Sequence, residues 1–213
     1  MPSLSIASSQ LKTSTNTQQK IFIHWFRQQN LRLHDNPALH ETIQASSKVP
    51  GSGILPIFCF DPRFISGKTI TPFGSQKCSV RRAQFLLQSV QDLRNNLKEK
   101  GSGLVIALGK PENVFANIIQ EYEKYCRHTE NSITIQVSCQ EEVASEELAV
   151  DRAMENILRR TDIPTSEVHV LGNLVKVWGS TLYHPKDLPF VGGARGIPDV
   201  FTPFRTQVEK VFF

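Results

Sequence analysis

Two hydrophobic rhythms take turns along this chain: short runs of bulky apolar residues, and longer stretches in which apolar positions recur every three or four residues. The first run starts at Ile21, where bulky residues follow one another through Phe26, as in a strand. An Arg- and Gln-rich turn follows, and Asn36-Pro37 opens a helical pattern over residues 36–45, with Pro37 at a position where a missing amide hydrogen costs nothing. Residues 54–60 (ILPIFCF) are a near-continuous apolar run ending in Asp61-Pro62, the pattern of a parallel strand covered on both faces. Residues 63–79 show no period and read as a long surface loop.

From 80 to 100, Ala83, Leu86, Leu87, Val90, Leu93 and Leu97 define one face of an amphipathic helix that stops at Gly101. Residues 104–108 supply the next strand, Pro111 starts a helix to about Tyr125, and residues 133–137 a further strand. A helix over 141–160 is acidic at its start and basic at its end, as the helix dipole favours. Residues 168–171 make a fifth strand. This alternation predicts a doubly wound, Rossmann-like parallel α/β sheet of about five strands. Residues 178–213, rich in Gly and Pro, read as an irregular C-terminal arm attached to an α/β domain over 21–177.

A chain of 213 residues suits one such domain with tails. The net charge of +4 is scattered rather than clustered, so charge alone gives no argument for nucleic acid. Cys59, Cys78, Cys126 and Cys139 form no C-x-x-C pair, and a reducing compartment, cytoplasmic or organellar, is the natural reading. No apolar run is long enough to cross a bilayer. Residues 1–20, Ser/Thr-rich and without an acidic residue, fit either a plastid or mitochondrial transit peptide or a disordered tail.

The standard glycine-rich phosphate loops and the G-x-S-x-G elbow are absent. Arg27 and Arg32 follow the first strand, on the edge where α/β sheets receive ligands. Either they clamp an anion, or, as the simpler reading, Arg32 braces the strand ends by pairing with Asp35 or Asp61. Glu141, Glu142, Glu146 and Glu147 reach the same edge, where a carboxylate accepts hydrogen bonds from the amino edge of a planar heterocycle; the ordinary alternative is a solvated helix N-terminus. The six histidines show no metal-ligand spacing, and Trp25 and Trp178 read as core anchors.

Together these segments resemble the photolyase/cryptochrome family. WFRQQNLRLHDNPAL is similar to the family's W-F-R-x-D-L-R-x-x-D-N-x-A-L signature, and FCFDPR, RAQFL leading into DLR, and GKPE follow in family order. GSTLYHPKDLPF and IPDVFTPFRTQVEK resemble the end of the α/β domain in DASH-type cryptochromes and plant photolyase-like relatives. The resemblance implies light-driven DNA repair (deoxyribodipyrimidine photolyase) as the family activity, carried by a helical FAD-binding domain that follows the α/β domain. FAD is not expected on this stretch alone, nor is catalysis or direct DNA binding. What remains is an antenna role, in which methenyltetrahydrofolate or another pterin or deazaflavin sits on the α/β domain, or a protein-interaction role with a separate flavin-domain polypeptide or another protein on the C-terminal arm.

By the same resemblance, the candidate antenna contacts are Lys77, Gln88, Glu141 and Glu142. Several departures bear on them. Gln88 stands where relatives commonly have an acid, Cys139 where they often have His, and Lys77-Cys78-Ser79 where K-T-G is frequent. The signature turn carries one residue more, Gln28-Gln29-Asn30 without the usual aspartate, which predicts an irregular loop and a looser Arg27 or Arg32. A nucleotide- or pterin-binding signalling module and a truncated piece of a complete DASH-type cryptochrome are the alternatives.

Overall fold

The computed structural model describes residues 19–67, 69–71, 73–129, 132–159, 170–179, 181 and 183–212. The leader expectation for residues 1–20 falls almost wholly outside them. Five strands, β1 (Gln19–Phe26), β2 (Gly53–Phe60), β3 (Val105–Leu108), β4 (Ile133–Gln140) and β5 (Val170–Val177), form one parallel sheet in the order β3-β2-β1-β4-β5. The helices are α1 (Pro37–Ser47), the short α2 (Pro62–Ile65), α3 (Val80–Glu99), α4 (Pro111–Thr129), α5 (Ser145–Arg159) and α6 (Phe201–Phe212). The doubly wound α/β expectation therefore holds.

Successive side chains on a strand face opposite sides of a sheet, and β1 uses both. Ile23 and Trp25 pack with Ile57, Ile135, Val137 and Cys139 against Phe115 and Ile119 of α4 and Val150, Met154 and Leu158 of α5. Phe26 joins Phe58 and the α3 stripe Leu86, Val90, Leu93 and Leu97 on the other side. These four belong to the face the sequence predicts, but Leu87, expected on it too, is 58% exposed, because it lies one residue round the helix from Leu86. Ser79 caps α3, its Oγ accepting from the Arg82 amide at 3.3 Å, which secures the helix start.

Several segments differ from expectation. The helix expected over 141–160 begins at Ser145, which leaves Glu141 and Glu142 in the stretch after β4, and residues 63–65 of the expected loop belong to α2. The fifth strand was expected at 168–171; residues 168 and 169 lie outside the described residues, and β5 runs on to Val177, paired with β4 along its whole length. It is a sheet edge with alternating exposure, so Asn173 and Lys176 interrupt the apolar run without interrupting the ladder. The C-terminal arm contains short 3₁₀ turns at Pro185–Asp187 and Gly193–Gly196, and then α6. Pro203 falls in the first turn of α6, where no intrahelical partner for its nitrogen is needed. Gly196 is fixed by space: a Cβ there would lie 2.3 Å from the Val191 carbonyl oxygen.

His24 is 1% exposed on the α1 side of β1. Its Nδ1 lies 3.2 Å from Thr42 Oγ1 of α1, and its ring meets Phe26 edge-on at 4.4 Å. Burial lowers its pKa to about 4. Because the folded pKa lies below the unfolded one, this residue's contribution to stability is intact above about pH 6.5 and is lost as pH falls toward 4. Urea unfolding at pH 7 and pH 4.5 is expected to show a drop smaller by about 2 kcal/mol in His24→Gln than in the natural protein; equal drops would remove His24 as the cause.

Candidate functional site

In the strand order above, the chain winds outward from β1 through β2 to β3, then crosses back to β4 and β5. The strand order changes direction between the paired neighbours β1 and β4, and a crevice lies beyond the carboxyl ends of the strands, where open α/β sheets take ligands. Arg27 follows β1, Asp61 follows β2 and Glu142 follows β4, and all three line a cavity of about 450 Å³. Trp25, Phe58, Phe64, Phe85, Leu86 and Pro111 give it an apolar, largely aromatic wall.

Arg27 is 7% exposed and is the most heavily engaged residue of the site. Its Nη1 donates to Asp151 Oδ1 on α5, its Nε lies 4.0 Å from Glu142 Oε1, and its guanidinium carbon stands 4.5 Å from the centre of the Trp25 ring. Cation–π contact and two carboxylates thus share one charge. Burial opposes that charge, but Asp151 and Glu142 outweigh it, and the Arg27 pKa is raised above its ordinary value. The expectation of a looser Arg27 is corrected here: Asp151 reaches it from a distant part of the chain and replaces the missing local aspartate. Arg32 also lines the cavity, half-buried, with its Nη2 3.3 Å from Oδ2 of the exposed Asp35. The turn is irregular as expected, closed by the Asn30 amide donating to the Arg27 carbonyl at 3.0 Å.

Glu142 is 5% exposed. Burial raises the pKa of its carboxyl, against the pull of Arg27. With its amide nitrogen turned to this carboxylate, the orientation that gives both groups partners, Gln29 donates to Oε2 at 2.6 Å and to Oε1 at 3.1 Å. On the far wall, Asp61 accepts from the Arg63 backbone amide at 2.9 Å and from its guanidinium, and Arg63 Nη2 reaches Glu112 of α4 at 2.8 Å. This network holds the end of β2 to the start of α4. Cys59, in the cavity floor, is pushed up to about 12 by burial and by Asp61.

Of the four candidate antenna contacts, Glu142 alone lines this cavity. Glu141 is half-buried, its amide donating to the Val177 carbonyl at 2.8 Å. Gln88 is exposed on α3, one residue before the lining residue Ser89. Lys77 pairs with Glu146, tying the segment before α3 to the first turn of α5. Asp151 escaped the sequence reading, yet its signal is present: it is an acid within the buried stripe of Val150, Met154 and Leu158. Among the described residues there is no cluster of three or more His, Cys, Asp or Glu placed to hold a metal ion, and no helix is long and apolar enough to cross a membrane.

Arg27→Met leaves two buried carboxylates without their counter-ion, whereas Asp151→Asn leaves Arg27 with Glu142. Urea unfolding is therefore expected to show a loss of about 3–5 kcal/mol for Arg27→Met and a smaller one for Asp151→Asn. A larger loss for Asp151→Asn would assign the central role to the acid instead.

Comparison with known proteins agrees with this architecture. The DNA photolyase family model matches residues 22–213. A cryptochrome DASH of Gloeobacter violaceus is 37% identical over 191 residues, covering 90% of this chain and 32% of that protein. A chloroplastic/mitochondrial cryptochrome DASH of Solanum lycopersicum is 36% identical over 89% of this chain and 30% of its own. The blue-light photoreceptor PHR2 of Arabidopsis thaliana is 34% identical over 88% of this chain and 35% of its own. The chain thus spans about a third of the length of the curated relatives it matches. With a parallel five-stranded sheet, the ordered family motifs and a family match running from β1 to the C-terminal end, this chain belongs to the DNA photolyase family as an N-terminal α/β domain of the type found in DASH cryptochromes.

Proposed function

We propose that the crevice beyond the carboxyl ends of β1 and β4 holds a planar antenna heterocycle of the pterin or deazaflavin class. The observation that carries this reading is a buried carboxylate, Glu142, facing a cavity with an aromatic wall. Its volume falls within the range of about 300–1,000 Å³ common for small-molecule sites. When bound, such a group supplies light absorption and passes excitation energy to a flavin. Glu142 orients it by accepting from ring and amino N–H groups, Trp25 and the phenylalanines exclude water from its faces, and Arg27 supplies the counter-charge beneath Glu142.

Titrating the purified protein with methenyltetrahydrofolate is expected to give a saturable absorbance change, with affinity about tenfold weaker in Glu142→Gln, which lacks the charge. Saturation by ATP or AMP with no response to the pterin would replace this reading with a nucleotide-binding one.

A second proposal concerns the arm, where Phe201 and Val211 of α6 are 69% and 59% exposed. Phe204 stacks on Phe190 at 5.5 Å and is half-buried, so it belongs to the arm's own packing. The exposed pair fits an apolar partner, for which the helical flavin domain of a DASH cryptochrome is the proposed candidate. Sedimentation of the two polypeptides mixed together is expected to show a complex that Phe201→Ser/Val211→Ser weakens at least severalfold; separate migration at all concentrations would overturn this.

A further inference from the structure

Glu142 already has a donor, and that donor comes from the turn with the additional residue. The end of the Gln29 amide lies 2.6 and 3.1 Å from the two carboxylate oxygens, and turned nitrogen-first it donates to both, the position that the N–H pair of a bound 2-amino-4-oxo heterocycle would need. The two residues differ in how firmly they are held. Glu142 is buried, close to Arg27 and fixed at the end of β4, whereas Gln29 is exposed and sits mid-turn. A long side chain held in one rotamer by a single group loses conformational freedom there, so Gln29 is the member of the pair that moves. It is also neutral, so its departure leaves the charge balance of Arg27, Asp151 and Glu142 unchanged.

We infer that Gln29 is a gate for the crevice: its amide satisfies Glu142 in the free protein and must swing out before a ring can place its N–H edge on that carboxylate. The inference rests on the crevice being the heterocycle site, and adds that access is competitive. A ligand with two parallel N–H groups offers a carboxylate two bonds at once, where Gln29 shares one nitrogen between two oxygens. Such a ligand displaces the gate. A ring of the same shape without the amino group gains less from doing so, because the displaced carboxylate oxygen is left without a donor.

The discriminating probes are pterin, which carries the 2-amino-4-oxo edge, and lumazine, which has a carbonyl in place of the amino group. Their binding to the natural protein, Gln29→Ala and Gln29→Asn is followed by ligand fluorescence. Gln29→Asn retains an amide one methylene shorter and controls for polarity. Because Gln29 is exposed, neither substitution is expected to disturb the fold, which circular dichroism and urea unfolding verify. Removing the competing amide should tighten pterin binding by about tenfold in Gln29→Ala, with a smaller gain in Gln29→Asn, and should tighten lumazine by the same factor, because both rings displace the same amide, while pterin stays the tighter ligand in every variant. Equal pterin affinity in the natural protein and Gln29→Ala would overturn the gate and leave the crevice reading intact. Weaker pterin binding in Gln29→Ala would overturn it too, making Gln29 a ligand contact. Binding of neither probe to any variant would overturn both readings.

Discussion

A positive charge buried where the strand order changes direction is the constraint that the site depends on. Arg27 leaves β1 where its side chain cannot reach bulk water, and an ion so placed is costly unless paired on every side. Asp151, Glu142 and the face of Trp25 provide that pairing. They come from α5, the end of β4 and β1 itself, so the ion pair joins the two halves of the doubly wound sheet at the point where the chain reverses direction. The crevice stays open above because its floor is held by charge as well as by packing.

The opposite wall follows a similar rule at lower cost. Arg63, about a third exposed, bridges Asp61 and Glu112, and solvent screens what burial would otherwise sharpen. One side of the site is therefore desolvated, and the other is partly open to solvent.

How much of this was legible beforehand depended on whether the physics was local. The α3 stripe from Leu86 to Leu97 and the apolar run of β2 are periodic signals, and the structure follows them. The length of β5 was hidden because Asn173, which is exposed, and Lys176, which pairs with Glu155 of α5, break its apolar run, so its pattern lacks the uninterrupted run of a central strand. Glu142 was within reach because an acid after a strand is a local cue. Its partner Asp151 was not, since only the fold brings a residue of α5 beneath the turn after β1; the absent aspartate in that turn correctly marked a place to look but suggested looseness where a distant acid supplies order. Gln29 was read as a sign of irregularity, and its contact with Glu142 depends on a pairing between segments more than a hundred residues apart.

Cys59 carries a different implication. It lines the cavity, and burial beside Asp61 keeps it a thiol rather than a thiolate at neutral pH. The sulfur that faces this crevice is thus a weak nucleophile, spared the alkylation chemistry that a thiolate would invite, and the cavity lining is chemically quiet there.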